Sequence, residues 1–323
     1  MSRSVTADPP PPSYAQIAGT SPEDLSRLLG GDPKQAARLL GAAARYGIVE
    51  AQAAYAQLLL DGRGVPQDRA AAYRWFEVAA GAGSVEATNM LGRCQELGWG
   101  VPADAVLAAT HYRAAAERGL DWGQYNYANL LARGAGLALD REAALAWYRR
   151  AADQGHVKSM NLVGRFLEEG WGGVVADPVA AEAWYRRAAE GGDFRGQFNH
   201  GSVLARRGEV AEAVLWFRKA MGTGTIGFLR SMAAHLERQP HAGLRALAIE
   251  VLARCRESGE AQDLFAYGKA ILDQDPAAGR DWLGRAAALG HAEAGALLGT
   301  LGLGGRWSFL RARMQQFQRE DGR

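Results

Sequence analysis

Residues 87–119 read ATNMLGRCQELGWGVPADAVLAATHYRAAAERG. The stretch opens with Ala87, Leu91 and Gly92 at helical spacing and halts at Gly98-Trp99-Gly100-Val101. It resumes at Asp104 and runs through His111-Tyr112 and Ala115-Ala116 to Gly119. A glycine after about eleven residues of helical pattern can take the left-handed conformation that ends a helix at least cost. Asp104 stands where an N-cap side chain accepts a backbone N–H of the next helix. His111-Tyr112 supplies the large packing residues of that second helix, and the alanine pair one turn later lets a neighbouring helix approach closely. The stretch predicts a helix, a glycine-bounded loop and an antiparallel second helix.

The same landmarks recur along the chain, which is the mark of a repeat architecture. Aromatic pairs stand at Trp75-Phe76, His111-Tyr112, Trp147-Tyr148, Trp184-Tyr185 and Trp216-Phe217, at steps of 36, 36, 37 and 32 residues. Gly62, Gly98, Gly134 and Gly170 keep step with Asp68, Asp104, Asp140 and Asp177, and with a closing glycine at 83, 119, 155 and 192. A hairpin of this kind cannot bury its apolar face alone and needs its neighbours on either side.

The pattern Ala-x3-Leu-Gly-x5-Gly-x-Gly-Val-x2-Asp, followed by Trp-Tyr-x2-Ala-Ala-x2-Gly, resembles the Sel1-like repeat. That repeat is a relative of the tetratricopeptide repeat with a longer loop inside the hairpin. The match is clear from Ala51 to Gly192; Gly196 to Met221 keeps Trp216-Phe217 but loses the Gly-x-Gly-Val loop. The resemblance implies an all-α, right-handed α/α solenoid of about nine antiparallel hairpins. Its expected divisions are a disordered proline-rich leader over 1–20, N-terminal capping helices over 21–50 and the repeat array over 51–224. Degenerate hairpins and a C-terminal cap follow over 225–323, closing with a helix from Trp307 to Phe317.

Composition narrows the function. The chain is 48% hydrophobic and 22% charged, ordinary for a folded protein, and its net charge of +2 gives no basic stripe of the kind a nucleic-acid binder shows. Arginine and alanine bias points to a GC-rich bacterial gene. The Pro9–Pro12 run stands where a signal peptide would need an apolar core, and no stretch is apolar enough to insert in a membrane. Only Cys94 and Cys255 are present. Stacked helices would hold them roughly 40 Å apart, too far for a disulfide. A reduced, cytoplasmic, monomeric protein is expected.

Catalytic and cofactor signatures do not emerge. The six histidines show no zinc-protease spacing, and neither a P-loop nor a nucleophile elbow occurs. The expectation is a non-enzyme with no metal and no cofactor. The family resemblance also brings an alternative, since some relatives are linked to β-lactam binding or hydrolysis. That branch is secreted and carries a disulfide in nearly every repeat, unlike this chain. A self-assembling structural subunit is the other alternative.

The resemblance implies instead a scaffold whose first helices face a concave groove that binds a peptide or helix of another protein. Transferring tetratricopeptide groove positions by helical spacing gives one column of Ala53, Asn89, Tyr125, Asn161 and Phe198. A second column holds Gln57, Arg93, Asn129 and Arg165, with Asn126 and Asn199 beside the first. Asparagine is a mediocre helix former, so its concentration asks for a role. Its amide can donate to and accept from an extended backbone, while arginine forks onto carboxylates. Asn129 and Arg165 are not expected in the core, so replacing both should leave the melting temperature nearly unchanged. Trp99 and Trp171, inside the Gly-x-Gly loops, either present a second contact edge or fold back over their own hairpins.

Overall fold

The computed structural model describes residues 12–19 and 30–302. Packing divides the chain into two units, Met1–Trp184 and Tyr185–Arg323. All regular structure among the described residues is helical. The first unit holds α1 (Tyr14–Ala18), α2 (Pro33–Arg45), α3 (Val49–Asp61), α4 (Arg69–Gly81), α5 (Val85–Leu97) and α6 (Ala105–Glu117). It continues with α7 (Asp121–Arg133), α8 (Arg141–Asp153) and α9 (Val157–Glu169), and α10 (Pro178–Glu190) crosses the division. The second unit holds α11 (Phe194–Arg206), α12 (Val210–Thr223), α13 (Ile226–Glu237), α14 (Ala242–Cys255), α15 (Ala261–Ile271), α16 (Pro276–Ala288) and α17 (Ala292–Thr300). Within each unit helices pack in consecutive pairs, which makes the chain an all-α solenoid of tandem hairpins.

The local signals act as the sequence predicts. Gly62, Gly98, Gly134 and Gly170 end the first helices with φ between 66° and 69°. Asp68, Asp104, Asp140 and Asp177 each accept an amide N–H of the second helix, from Ala71 at 2.8 Å, Val106 at 2.9 Å, Ala143 at 2.8 Å and Ala180 at 2.9 Å. Gly100 has a further task. Its φ is +76°, and a methyl group built on it would overlap the carbonyl of Arg69, the first residue of the preceding hairpin's second helix. The loop of one hairpin is thereby seated on the one before it. Gly136 meets Ala105 in the same way, and Gly64 meets Pro33, so α2 stands as the second helix of a worn first hairpin.

Burial corrects one expectation about the aromatic pairs. The first members, Trp75, His111, Trp147, Trp184 and Trp216, are only partly buried. The second members, Phe76, Tyr112, Tyr148, Tyr185 and Phe217, are at most 2% exposed and form the core. Successive helix residues point about 100° apart, so only one of two neighbours can face the axis of the stack. The other lies across the seam, as Trp75 does edge-on to Tyr55 at 5.9 Å and Trp147 to Tyr127 at 5.8 Å. Core clusters run from hairpin to hairpin: Ala56, Leu59, Phe76 and Ala79 pack with Ala87, Leu91 and Cys94 of the next.

The second unit packs Phe217, Leu229, Met232, Leu244, Leu247 and Val251 in one cluster and Leu264, Phe265, Leu283 and Leu298 in another. Its buried Asp263 accepts two bonds from Arg230, at 2.8 and 2.7 Å, and one from Ser258. Burial works to raise the pKa of that carboxyl, but the Arg230 and Ser258 bonds outweigh it and hold the group below its ordinary value.

The ends differ from expectation. Residues 14–18, assigned to a disordered leader, form α1, held by a capping box in which Ser13 and Gln16 bond reciprocally. Tyr14 also rests edge-on against Tyr46 at 5.6 Å. Residues 1–11 and the expected closing helix Trp307–Phe317 lie outside the described residues. The compact units part at 184/185, inside the span expected to be one array over 51–224.

Candidate protein-binding face

The first helices of the four hairpins in the first unit are each 13 residues long and each stop at a left-handed glycine. Equal lengths put equivalent residues in line. The stripe that remains accessible holds Trp122, Asn126, Asn129 and Arg133 on α7, at steps of four, three and four residues. Its equivalents are Glu86, Met90, Arg93 and Leu97 on α5, Lys158, Leu162, Arg165 and Glu169 on α9, and Glu50, Ala54, Gln57 and Asp61 on α3. No member of the stripe is buried.

This placement separates the two expected columns. Arg93, Asn129 and Arg165 stand on the accessible stripe. Asn89 and Asn161 do not, being 6% and 3% exposed. Their position points along the stack at the next hairpin: Asn89 Oδ1 accepts from Asn126 Nδ2 at 2.9 Å. Tyr125 lies in the same seam, 6.3 Å from the Tyr148 ring and 4.8 Å from His156. Asn129 is accessible but not idle, because its Oδ1 accepts from the buried Tyr148 hydroxyl at 2.7 Å. Burial raises the pKa of that phenol, with Tyr125 adding to the effect, so Tyr148 is a permanent donor. The expectation that Asn129 carries no structural load is therefore corrected.

In the second unit, Phe198 is half-buried between Phe217 at 5.5 Å, Phe228 at 5.6 Å and His235 at 5.0 Å, and Asn199 is half-buried beside it.

Both loop tryptophans fold back. Trp99 packs onto the cluster of Leu59, Phe76 and Leu91, with the Arg93 guanidinium 5.1 Å from its ring. Trp171 lies edge-on to Phe166 at 5.6 Å, with Arg141 and Arg165 at 5.2 and 5.6 Å.

The exposed aromatic on this face is one the sequence reading passed over. Trp122 is 43% exposed at the head of the α7 stripe. Its indole meets Tyr125 edge-on at 5.9 Å and His156 at 4.7 Å, and Lys158 Nζ sits 4.8 Å from its ring. His156 is the N-cap of α9: its Nδ1 accepts the Ser159 amide N–H at 3.3 Å. That bond puts the proton of the neutral ring on Nε2, which is buried without a hydrogen-bond partner among the described residues. Burial depresses the imidazole pKa; Lys158 adds to the effect and Asp121 opposes it. A sequence signal for Trp122 existed, since the equivalent residues are Glu50, Glu86 and Lys158. A tryptophan at a position otherwise charged is out of pattern.

A second feature missed in the sequence is alternation between hairpins. Gln52, Gln124 and Gln197, two repeats apart, each donate to a carbonyl at the end of the preceding helix, from Ala44, Ala116 and Ala189 at 3.3 to 3.4 Å. Hairpins between them carry the Arg93-Trp99 and Arg165-Trp171 pairs. Among the described residues no three His, Cys, Asp or Glu side chains converge as metal ligands, and no helix is long and apolar enough to cross a membrane.

The Sel1 repeat model matches residues 49–84, 85–120, 123–156, 157–193 and 258–291. No curated protein matches the chain. Among solved structures, a Sel1 repeat protein from Oxalobacter formigenes superposes with a TM-score of 0.64 at 24% identity, covering 73% of this chain and 99% of that one. The c5321 protein, a protective antigen of uropathogenic Escherichia coli strains with an SLR fold, gives 0.45 at 26% identity over 88% of this chain and 72% of that one.

Proposed function

The chain belongs to the Sel1 repeat family, and on that footing we propose that the accessible stripe of α5, α7 and α9 binds a segment of another protein, with Trp122 as its central anchor. Repeats of the Sel1 and tetratricopeptide kind typically bind proteins, and the Sel1 scaffold is generally non-catalytic. The observation that carries the reading is the state of Trp122: 43% exposed, yet braced by Tyr125, His156 and Lys158. A pre-positioned indole loses little entropy on binding, and tryptophan is among the residues that most often dominate interfaces. Met90 and Leu162 add apolar surface on the neighbouring helices, while Arg93 and Arg165 supply polar specificity. The reading also takes the chain as a monomer of a reducing compartment such as the cytoplasm. Both cysteines are free and buried, and burial pushes each thiol up to about 11.

The test is capture from an extract of the source organism by the intact chain and by Trp122→Ala. An anchor of this kind is worth about 2 kcal/mol or more, so capture should weaken by about thirtyfold. The chain should stay folded with its stability lowered by about 1–2 kcal/mol through the lost contacts with Tyr125, His156 and Lys158, so capture is compared well below the melting temperature of the variant. Undiminished capture by the variant refutes the proposal.

A further inference from the structure

Although they fold back, the loop tryptophans organise charge at the rim of the same face. Arg93 stacks over Trp99 at 5.1 Å, and Arg69 of the preceding hairpin lines the same depression of about 400 Å³. Two repeats on, Arg165 and Arg141 flank Trp171 at 5.6 and 5.2 Å. The construction is the same in both places: the glycine after each tryptophan, Gly100 or Gly172, abuts the backbone of Arg69 or Arg141 and so brings one hairpin's arginine to the next hairpin's loop. Two arginines of this unit are ion-paired, Arg113 with Glu117 and Arg133 with Glu96, each at 2.7 Å. Among the described residues Arg69, Arg93, Arg141 and Arg165 have no carboxylate within ion-pair distance.

A guanidinium laid on an indole keeps its N–H edge available to a carboxylate, and the ring restricts the side chain in advance. We propose that these two arginine–tryptophan–arginine sites grip two carboxylates of one extended, acidic segment of the partner protein. This rests on the face proposed above, since Arg93 and Arg165 belong to its stripe. Stacked helices lie ~10 Å apart, so two repeats span about 20 Å. An extended chain rises ~3.3 Å per residue, which sets the two acidic residues about six apart. The sites are unequal. Asp61, held by Gln57 at 2.8 Å, dilutes the charge at the first. At the second the equivalent residues are Arg133 and Asn129, so Arg165 is the stronger contact.

The test uses the full chain and fluorescein-labelled ten-residue peptides of glycine, serine and asparagine, read by anisotropy. Peptides carry two glutamates six apart, two glutamates three apart, one glutamate, or glutamines only. The six-apart peptide should bind at least tenfold tighter than the single-glutamate one, because the second contact becomes intramolecular. Arg93→Gln and Arg165→Gln should each remove most of that gain, Arg165→Gln the more, with an unchanged melting temperature. The inference is overturned if the six-apart peptide does not bind, if spacing makes no difference, or if binding survives both substitutions. Equal affinity for single-stranded DNA or phosphatidylserine vesicles also overturns it, in favour of a phosphate site. If partner capture is lost with Trp122→Ala but kept with the double arginine variant, the face stands and this assignment falls. If Trp122→Ala captures normally while the peptides behave as expected, the Trp122 anchor falls and the paired sites remain.

Discussion

Replacing Tyr148 by alanine tests the packing logic of the stack at its middle hairpin. The side chain is 2% exposed and meets Phe166 edge-on at 5.5 Å and Tyr125 at 6.3 Å, while its hydroxyl donates to Asn129 at 2.7 Å. Removing a buried aromatic ring costs about 3–5 kcal/mol, including the cavity left behind. The half-buried Asn129 can recover water in place of the lost donor. Trp147→Ala is the informative control, because the larger residue sits next in sequence but only partly buried. It would lose its edge contact with Tyr127, worth about 0.5–1.5 kcal/mol, and the Arg150 guanidinium 4.5 Å from its ring, worth about 0.5–1 kcal/mol at an exposed site. With some apolar area added, its loss should stay near 2 kcal/mol. Tyr148→Phe keeps the ring and should cost about 1 kcal/mol. Urea denaturation followed by far-UV circular dichroism, with amide exchange in α7 to α9 as a local readout, orders the three. A loss for Trp147→Ala equal to or above that for Tyr148→Ala would refute the assignment of the inner position.

Gly100→Ala should destabilise by at least about 3 kcal/mol, since it adds left-handed strain and a clash with the Arg69 carbonyl, whereas Gly119→Ala, with open space around it, should cost only the strain of about 1–2 kcal/mol. Equal midpoint shifts in urea would show that the loop is not seated on the preceding hairpin. The depressed pKa of His156 makes stability depend on pH. The unfolded chain takes up that proton more readily, so the contribution is complete above the ordinary histidine value of about 6.5 and is lost as pH falls through the lower folded value. Thermal melts between pH 7.5 and 5 should fall more steeply for the native chain than for His156→Asn, which keeps an N-cap acceptor that does not titrate; parallel curves would exclude His156 as the source.

The hairpins were legible in the sequence because their signals are local. A left-handed glycine, an N-cap aspartate and a thirteen-residue helix act within a few residues of themselves, and Asp68, Asp104, Asp140 and Asp177 do what their positions imply. The period of the landmarks then requires that the hairpins stack, since none can bury its apolar face alone. Of the residues that the sequence assigned to the groove, Arg93, Asn129 and Arg165 are accessible, while Asn89 and Asn161 lie in the seam. Which side of a helix meets its neighbour depends on the angle at which hairpins pack, and one residue turns the answer by about 100°. The sequence by itself therefore determined the repeat, its caps and its turns. Only the tertiary structure decided that Tyr148 rather than Trp147 is core, that Trp99 and Trp171 fold inward, and that Trp122 is left facing out. Those outcomes belong to contacts between hairpins, where burial is settled by two neighbours at once.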